Sequence, residues 1–290
     1  MKKWVVLLGL WLVCAFAGAA VSITDDKGRK VSIAQAPKRI ISLLPSLTET
    51  VCALGRCQDL VGVDRYSNFP QDVRKLPQLG GGMDPQIEAI FAIKPDLVLA
   101  ASSSPGTERL AALGLTVLQL EPKDQADAVR VIRTLAQALY VADPEPVIRQ
   151  MDLEFAQAQA LVPAGARGKK IYFEVGTGPY AAGSASFIGQ TISQLGLVNI
   201  VGPELGPFPK INPELVVRAQ PDVVVVADSS FSALAGRPGW GMVRALKDHK
   251  VCTFSHADGD LLVRAGPRMG QGALLLARCL QRLYSTGQTP

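Results

Sequence analysis

The side chains best placed to do chemistry in this chain are suited to holding a flat ligand rather than to transforming one. Four large rings stand in Gly/Pro-rich loops: Tyr66 in VGVDRYSNFP, Tyr180 in GTGPYAAG, Phe208 in GPFPK and Trp240 in RPGWG. A ring so placed either anchors its loop or stacks on a ligand, and the four together point to stacking on a flat, partly apolar molecule. Arg264 and Arg268, in LLVRAGPR, either bring charge to ligand carboxylates, phosphate or amides, or pair with Asp258 or Asp260 close by. We place Asp258 and Arg264 at the ligand.

Enzyme signatures are missing. The chain has no Gly-x-Ser-x-Gly elbow, no phosphate loop, no His-Glu-x-x-His and no Gly-x-Gly-x-x-Gly after a strand, so no covalent chemistry is expected. Gly80-Gly81-Gly82 lacks a following Lys and reads as a flexible loop. The chain has 2 histidines, too few for a zinc or manganese site built on imidazole, and no metal site is expected. His249 reads as surface, in a Lys-Asp-His-Lys turn; His256 follows a strand at the presumed cleft edge and stays a candidate.

The elements that position these residues alternate. Short strands at Val61–Val63, Leu97–Ala100 and Thr116–Leu120 are interleaved with helical stretches at 85–93 and 107–113. The rhythm returns with strands at 171–175, 223–226 and 251–254 and a helix over 188–195. This is an α/β pattern: parallel sheets with helices on both faces. In SLLPSLTET, from Ser42, a strand stops at Pro45 and a helix begins, which puts Pro45, Ser46 and Thr48 at a cleft wall, with Glu49 accepting the helix's first amides.

The two halves look related. DPQIEAIFAIKPDLVLA starts at Asp84 and NPELVVRAQPDVVVVA at Asn212. In both, an Asx-Pro pair opens a helix, with the Asx as N-cap and Pro at the first helical position. Glu88 and Glu214 match, as do Pro95-Asp96 and Pro221-Asp222, and the offset is 126 at both markers. Between the halves, ADAVRVIRTLAQALYV is one amphipathic helix, and a second runs from Asp143 to Pro163. The predicted organisation is therefore two similar lobes, residues 21–142 and 164–290, joined by a single long backbone helix over 143–163. The cleft between lobes is the default ligand site.

Residues 1–20 form a secretory signal peptide by layout: Lys2 and Lys3, an apolar run from Trp4 to Phe16, then Ala17-Gly18-Ala19-Ala20. Val13 before Cys14 is too large for a good lipidation site. The layout predicts an exported chain. Formal charge falls from +5 to +3 when Lys2 and Lys3 are removed, and the basic residues are scattered, which excludes a nucleic-acid reading. Four further cysteines in an exported chain imply disulfides. Cys52 and Cys57 flank the Gly55 helix stop and are expected to pair; Cys252 and Cys279 either pair or stay as buried thiols.

The run RIISLLPSLTETVCALG…LVGVDRYSNFP, then LGGGMDPQIEAIFAIKPDLVLA, and finally RAGPR resembles the periplasmic substrate-binding proteins of ABC importers for cobalamin, haem and ferric siderophores. The resemblance implies two α/β lobes on one long helix, a monomer, and an inner-membrane permease as partner. It implies that Glu88 and Glu214, one on each lobe, meet permease arginines. It also matches Tyr66, Tyr180 and Phe208 to aromatic positions of the cobalamin binder, while two tryptophan positions of that protein fall here on Gly80–Gly82 and Ser102–Ser104. Cobalamin or another corrinoid is the first ligand implied. A ferric siderophore, with Arg264 and Arg268 on its anionic oxygens, is second, and haem, with Tyr66, Tyr180 or His256 as axial ligand, is third.

Overall fold

Strands covered by helices on both faces carry apolar side chains inward and outward alike, and the chain has two such sets. The computed structural model describes residues 20–175, 180–226 and 234–285; the expected signal peptide lies outside the described residues except for Ala20. No helix among them is long and apolar enough to cross a membrane. An antiparallel hairpin, β1 (Val21–Thr24) and β2 (Lys30–Ile33), comes first. Next follow β3 (Ile40–Ser42), helix α1 (Pro45–Ala53) and β4 (Leu60–Val63). A small antiparallel pair, β5 (Gly80–Gly81) and β6 (Asp84–Pro85), precedes α2 (Ile87–Ile93). The lobe is completed by β7 (Leu97–Ala100), α3 (Thr107–Ala112) and β8 (Val117–Gln119).

The second lobe contains β9 (Lys170–Glu174), α6 (Phe187–Gln194), β10 (Val198–Asn199), α7 (Pro213–Ala219) and β11 (Val223–Val226). It continues with the single turn α8 (Arg244–Lys247), β12 (Val251–Thr253), α9 (His256–Leu262) and α10 (Met269–Ser285). Both sheets are parallel and have the same order, β4-β3-β7-β8 and β10-β9-β11-β12. Each sheet is packed on both faces: Leu97 and Leu99 point into one apolar cluster, Val98 and Ala100 into another, and Val223 to Val226 alternate in the same way.

The matched segments have a physical reason. Lys94 and Gln220, also 126 apart, close α2 and α7 in the left-handed conformation, at φ 53 and 48. Each leads into Pro-Asp, and the aspartate fixes strand register. Asp96 Oδ2 accepts from the N–H groups of Lys38 and Arg39 at 2.8 and 2.9 Å, and Asp222 Oδ2 accepts from Lys170 N–H at 2.9 Å. The match fails at the helix starts. Asn212 caps α7 by accepting from Glu214 N–H at 3.0 Å, but Asp84 caps nothing. Residue 84 instead pairs with Gly81 in the β5–β6 ladder and with Arg65, and α2 begins after Gln86. Gly80 and Gly81 are therefore buried strand residues, not the flexible loop expected.

One long helix joins the lobes, and a second helix leads into it. α4 (Gln125–Ala138) starts against α6, where Gln125 N–H donates to Gln190 at 2.9 Å, and buries Ile132 and Leu135 in the first lobe. α5 (Glu145–Leu161) has 17 residues, about 25 Å at 1.5 Å per residue. It packs Ile148 on the first lobe and Met151, Phe155 and Ala158 on the second. It lies so close to α10 that a Cβ on Gly270 would sit 2.7 Å from the Met151 carbonyl oxygen.

Cys52 is bonded to Cys57 and Cys252 to Cys279, so the second pair, open in the sequence, is a disulfide that joins β12 to α10. The pairs are 5 and 27 residues apart, and loop-closure entropy makes the longer bridge the more stabilising. We expect Cys252→Ala/Cys279→Ala to lose roughly 3–4 kcal/mol in urea unfolding and Cys52→Ala/Cys57→Ala roughly 2. The reverse order would show that native-state packing, not chain entropy, sets the effect.

Candidate functional site

Parallel strands deliver their loops to one end of the sheet, and in this chain the carboxyl ends of both sheets face each other across a cleft. From the first lobe come Leu44, Pro45 and Ser46 after β3, Tyr66 after β4, and Glu121 and Pro122 after β8. The second lobe contributes Phe187, Phe208, Asp260, Val263, Arg264 and Ala265, and the space between is about 400 Å³. Tyr66 and Phe208 stand on opposite sides with 61% and 40% of their surfaces exposed. Phe208 leans on Phe187, ring centroids 6.0 Å apart and tilted.

A buried polar network sets the Tyr66 loop. Asp64 Oδ2 accepts from Tyr66 N–H at 2.9 Å, an Asx turn, and its other oxygen accepts from the Ser67 hydroxyl. Ser67 in turn meets Thr48 Oγ1 at 2.8 Å, and Thr48 donates to Ser42 at 2.9 Å. Thr48 is thus buried behind the wall, not on it. Burial pushes the Asp64 carboxyl above its ordinary pKa, against the Ser67 and Tyr66 donors.

Arg264 joins the lobes. Its Nη1 donates to Glu49 Oε1 and Asn68 Oδ1, both at 2.8 Å, and its Nη2 to the Tyr66 carbonyl and to Asp260 Oδ2, both at 3.0 Å. Asn68 closes the ring by donating to Asp260 at 2.6 Å. Arg268 approaches Glu49 at 3.5 Å and lies 3.5 Å over the Phe69 ring. The Glu49 side chain is 2% exposed and that of Arg264 9%. Burial raises the Glu49 pKa, and the hydrogen bond and charge of Arg264, with Arg268 beyond, pull it back. Glu49 therefore serves the other lobe rather than the amides of its own helix. The lobes touch closely here: a Cβ on Gly266 would lie 3.3 Å from Ser46 Cβ.

Of the residues placed at the ligand from sequence, Pro45, Ser46, Tyr66, Phe208 and Arg264 line the cleft, and Arg264 lines it with its guanidinium already engaged. Three do not line it. Trp240 is fully buried, edge-on to Tyr172 at 5.8 Å and 4.6 Å beneath the Arg237 guanidinium, which forms an ion pair with Glu174. Its Gly/Pro-rich flanks belong to a 3-10 turn folded into the second lobe's core, so loop composition misreported its environment. Asp258 is tied up at the start of α9, where Ser255 is the cap: Ser255 Oγ accepts from Asp258 N–H at 3.2 Å and donates to Asp258 Oδ2 at 2.9 Å. Asp260, four residues before Arg264, is the second lobe's acid at the cleft. Tyr180 is 48% exposed but bridges to Lys210 outside the cleft wall. His256 is exposed at the start of α9, also off the wall.

Sequence reasoning missed Glu121, Phe187 and Asn68. An i,i+4 spacing on a short helix was a signal for the Asp260–Arg264 pair; none marked Glu121 or Asn68. Glu88 and Glu214 stand in the first turns of α2 and α7, exposed, and Glu88 forms a surface pair with Arg109 at 2.9 Å.

Two similar α/β lobes on connecting helices, with aromatics from both facing one cleft, define a two-lobed solute-binding protein. The chain belongs to the periplasmic binding protein family, whose model matches residues 40–256, and it is a substrate-binding protein of an ABC importer rather than an enzyme. It is 29% identical over 272 residues, 90% of this chain and 85% of the relative, to the uncharacterized ABC transporter substrate-binding lipoprotein YvrC of Bacillus subtilis. It is 31% identical over 200 residues, 67% of this chain and 71% of the relative, to the vitamin B12-binding protein of Yersinia pestis. Among solved structures, the periplasmic heme-binding protein BhuT in complex with two hemes is similar, with a TM-score of 0.74 and 26% identity over 86% of this chain and 99% of that one.

Removing one partner from a buried ion pair leaves the other charge uncompensated. We expect Arg264→Ala to cost about 3–5 kcal/mol of stability by urea unfolding. A loss below about 1 kcal/mol, the range of exposed pairs, would mean that Arg264 is a free ligand-binding arm rather than a strut.

Proposed function

We propose that this protein captures cobalamin or another corrinoid in the periplasm, in the cleft between its lobes, and delivers it to the permease of its importer. The observation that carries this reading is the pair of exposed rings, Tyr66 and Phe208, facing one cleft from opposite lobes above the apolar side chains of Pro45, Phe187 and Val263. Two such rings fit a broad, flat ligand contacted from both sides, and burying them on it removes large apolar surface from water. Relatives named as vitamin B12-binding proteins support the corrinoid. A second reading, haem, is favoured by the exposed phenol of Tyr66, an axial ligand type for haem iron. Residues 1–20 act as the export signal in this reading, and the binding unit is a monomer.

Delivery is assigned to Glu88 and Glu214. They occupy equivalent first turns of α2 and α7, one per lobe, and both side chains are exposed. The Arg109–Glu88 pair is a solvent-exposed one, which an incoming arginine of the permease exchanges at little cost. Rim carboxylates of this kind steer and register docking more than they add affinity.

Calorimetric titration of the purified protein with cyanocobalamin, haemin and a panel of ferric siderophores tests the ligand. Tight one-to-one binding of cyanocobalamin is expected, weakened by roughly 1–3 kcal/mol in Tyr66→Ala, the usual scale for a lost anchor. Binding of haemin or a siderophore without cyanocobalamin would overturn the corrinoid. For docking, Glu88→Ala/Glu214→Ala is expected to impair uptake in cells while leaving the calorimetric affinity unchanged; a large affinity loss would remove both residues from that role.

A further inference from the structure

Glu121 projects from the end of β8 into the cleft wall, and three hydrogen bonds hold its carboxylate still. Ser102 Oγ donates to Oε2 at 2.6 Å, Ser103 N–H to Oε2 at 2.9 Å and Ser103 Oγ to Oε1 at 2.7 Å. Its own N–H donates to Asp26 at 2.7 Å, and Asp26 is paired with Arg130 at 2.9 Å, so the backbone is fixed as well. Burial alone would push the Glu121 carboxyl up, but the Ser102 and Ser103 donors and the nearby Lys123 charge outweigh it and hold the pKa below the usual carboxylate range. The group is an anion at neutral pH. A carboxylate has about four lone-pair sites, and Oε1 receives one donor among the described residues, which leaves it able to accept from the cleft side.

Acidic side chains outnumber cations among the described residues that line the cleft, Glu121 and Asp260 against Arg264. Among the described residues lining it, Arg264 is the one cation, and its guanidinium is committed to Glu49, Asn68, Tyr66 and Asp260. A ligand carboxylate brought to this wall meets a fixed like charge, which the Lys123 ammonium nearby offsets only in part. A ligand N–H brought there forms a charge-assisted hydrogen bond with an acceptor already oriented. Like-charge repulsion of this kind is how a site rejects one of two ligands of similar shape.

We propose that Glu121 determines specificity in this cleft by accepting hydrogen bonds from carboxamide N–H groups on the rim of the ligand, selecting an amide-rimmed macrocycle over a carboxylate-rimmed one. The inference rests on the macrocycle reading above. Ser102 and Ser103 act as positioning residues: they hold the carboxylate at the cleft wall.

The test is a comparison of dissociation constants for wild type and Glu121→Gln against three probes. These are cyanocobalamin, cyanocobalamin with one peripheral carboxamide hydrolysed to the acid at each of its propionamide positions in turn, and haemin. Ratios between probes titrated into one preparation are insensitive to any unfolded fraction in the variant. The wild type is expected to bind at least one monoacid about tenfold more weakly than the parent, a difference of about 1.4 kcal/mol, and Glu121→Gln to shrink that ratio below about threefold. Equal binding of the parent and all monoacids by wild type would overturn the role of Glu121 while leaving the corrinoid reading intact. Should haemin bind and cyanocobalamin not, the corrinoid reading fails. Tighter haemin binding by Glu121→Gln would then still uphold carboxylate rejection, and unchanged haemin affinity would overturn it too. Binding of none of the probes overturns both.

Discussion

The contact on which the cleft depends is the one between Arg264 and Glu49. A carboxylate taken almost wholly out of water is costly unless its lone pairs are filled, and Glu49 fills its own with the guanidinium of the opposite lobe. That single guanidinium also reaches the carbonyl of Tyr66, the amide of Asn68 and the carboxylate of Asp260. The start of α1, the aromatic loop after β4 and the end of α9 are thereby held in one arrangement. Ser46 and Gly266 come so close that a Cβ on Gly266 would lie 3.3 Å from Ser46 Cβ.

Opening the cleft means parting Glu49 from its arginines, and α5 offers little compliance in exchange. It is a continuous helix pressed against α10 at Gly270. A rotation that widens the cleft at this point has to break the buried pair, whose partners then have to be hydrated. The contacts of Gln125 with Gln190 and Thr191 tie the start of α4 to the second lobe with neutral hydrogen bonds, which are cheaper to rearrange than the ion pair.

The site divides its work between the lobes. The first lobe supplies polar groups whose positions are set by short local bonds: Asp64 on Tyr66, and the serine pair on Glu121. The second supplies Phe187, Phe208 and Val263, beside Asp260 and Arg264, which are already engaged with each other. The matched sheets make this possible. Identical strand order sends both sets of loops to the same kind of end, and packing two such ends together creates one cleft with unlike walls.

Much of the fold was legible in the chain. Val223 to Val226 and Leu97 to Ala100 read as buried strands because unbroken apolar runs between Pro-Asp and a loop have few other solutions. The 126-residue offset reads as a repeat because the same backbone problem, an aspartate fixing strand register after a left-handed helix stop, is solved twice with the same residues. Pro45, Ser46, Tyr66 and Phe208 were visible as cleft residues because loops after parallel strands converge. What the tertiary structure alone decided was partnership. Whether Arg264 meets a ligand or Glu49, 215 positions away, is set by the docking of two lobes and leaves no local trace. Trp240 shows the converse: its loop composition is that of a surface ring, yet Tyr172, distant in sequence, and the neighbouring Arg237 enclose it. Local spacing specifies elements and their caps; which side of an element meets water, and which charge finds which partner, depends on contacts that exist only once the lobes are packed.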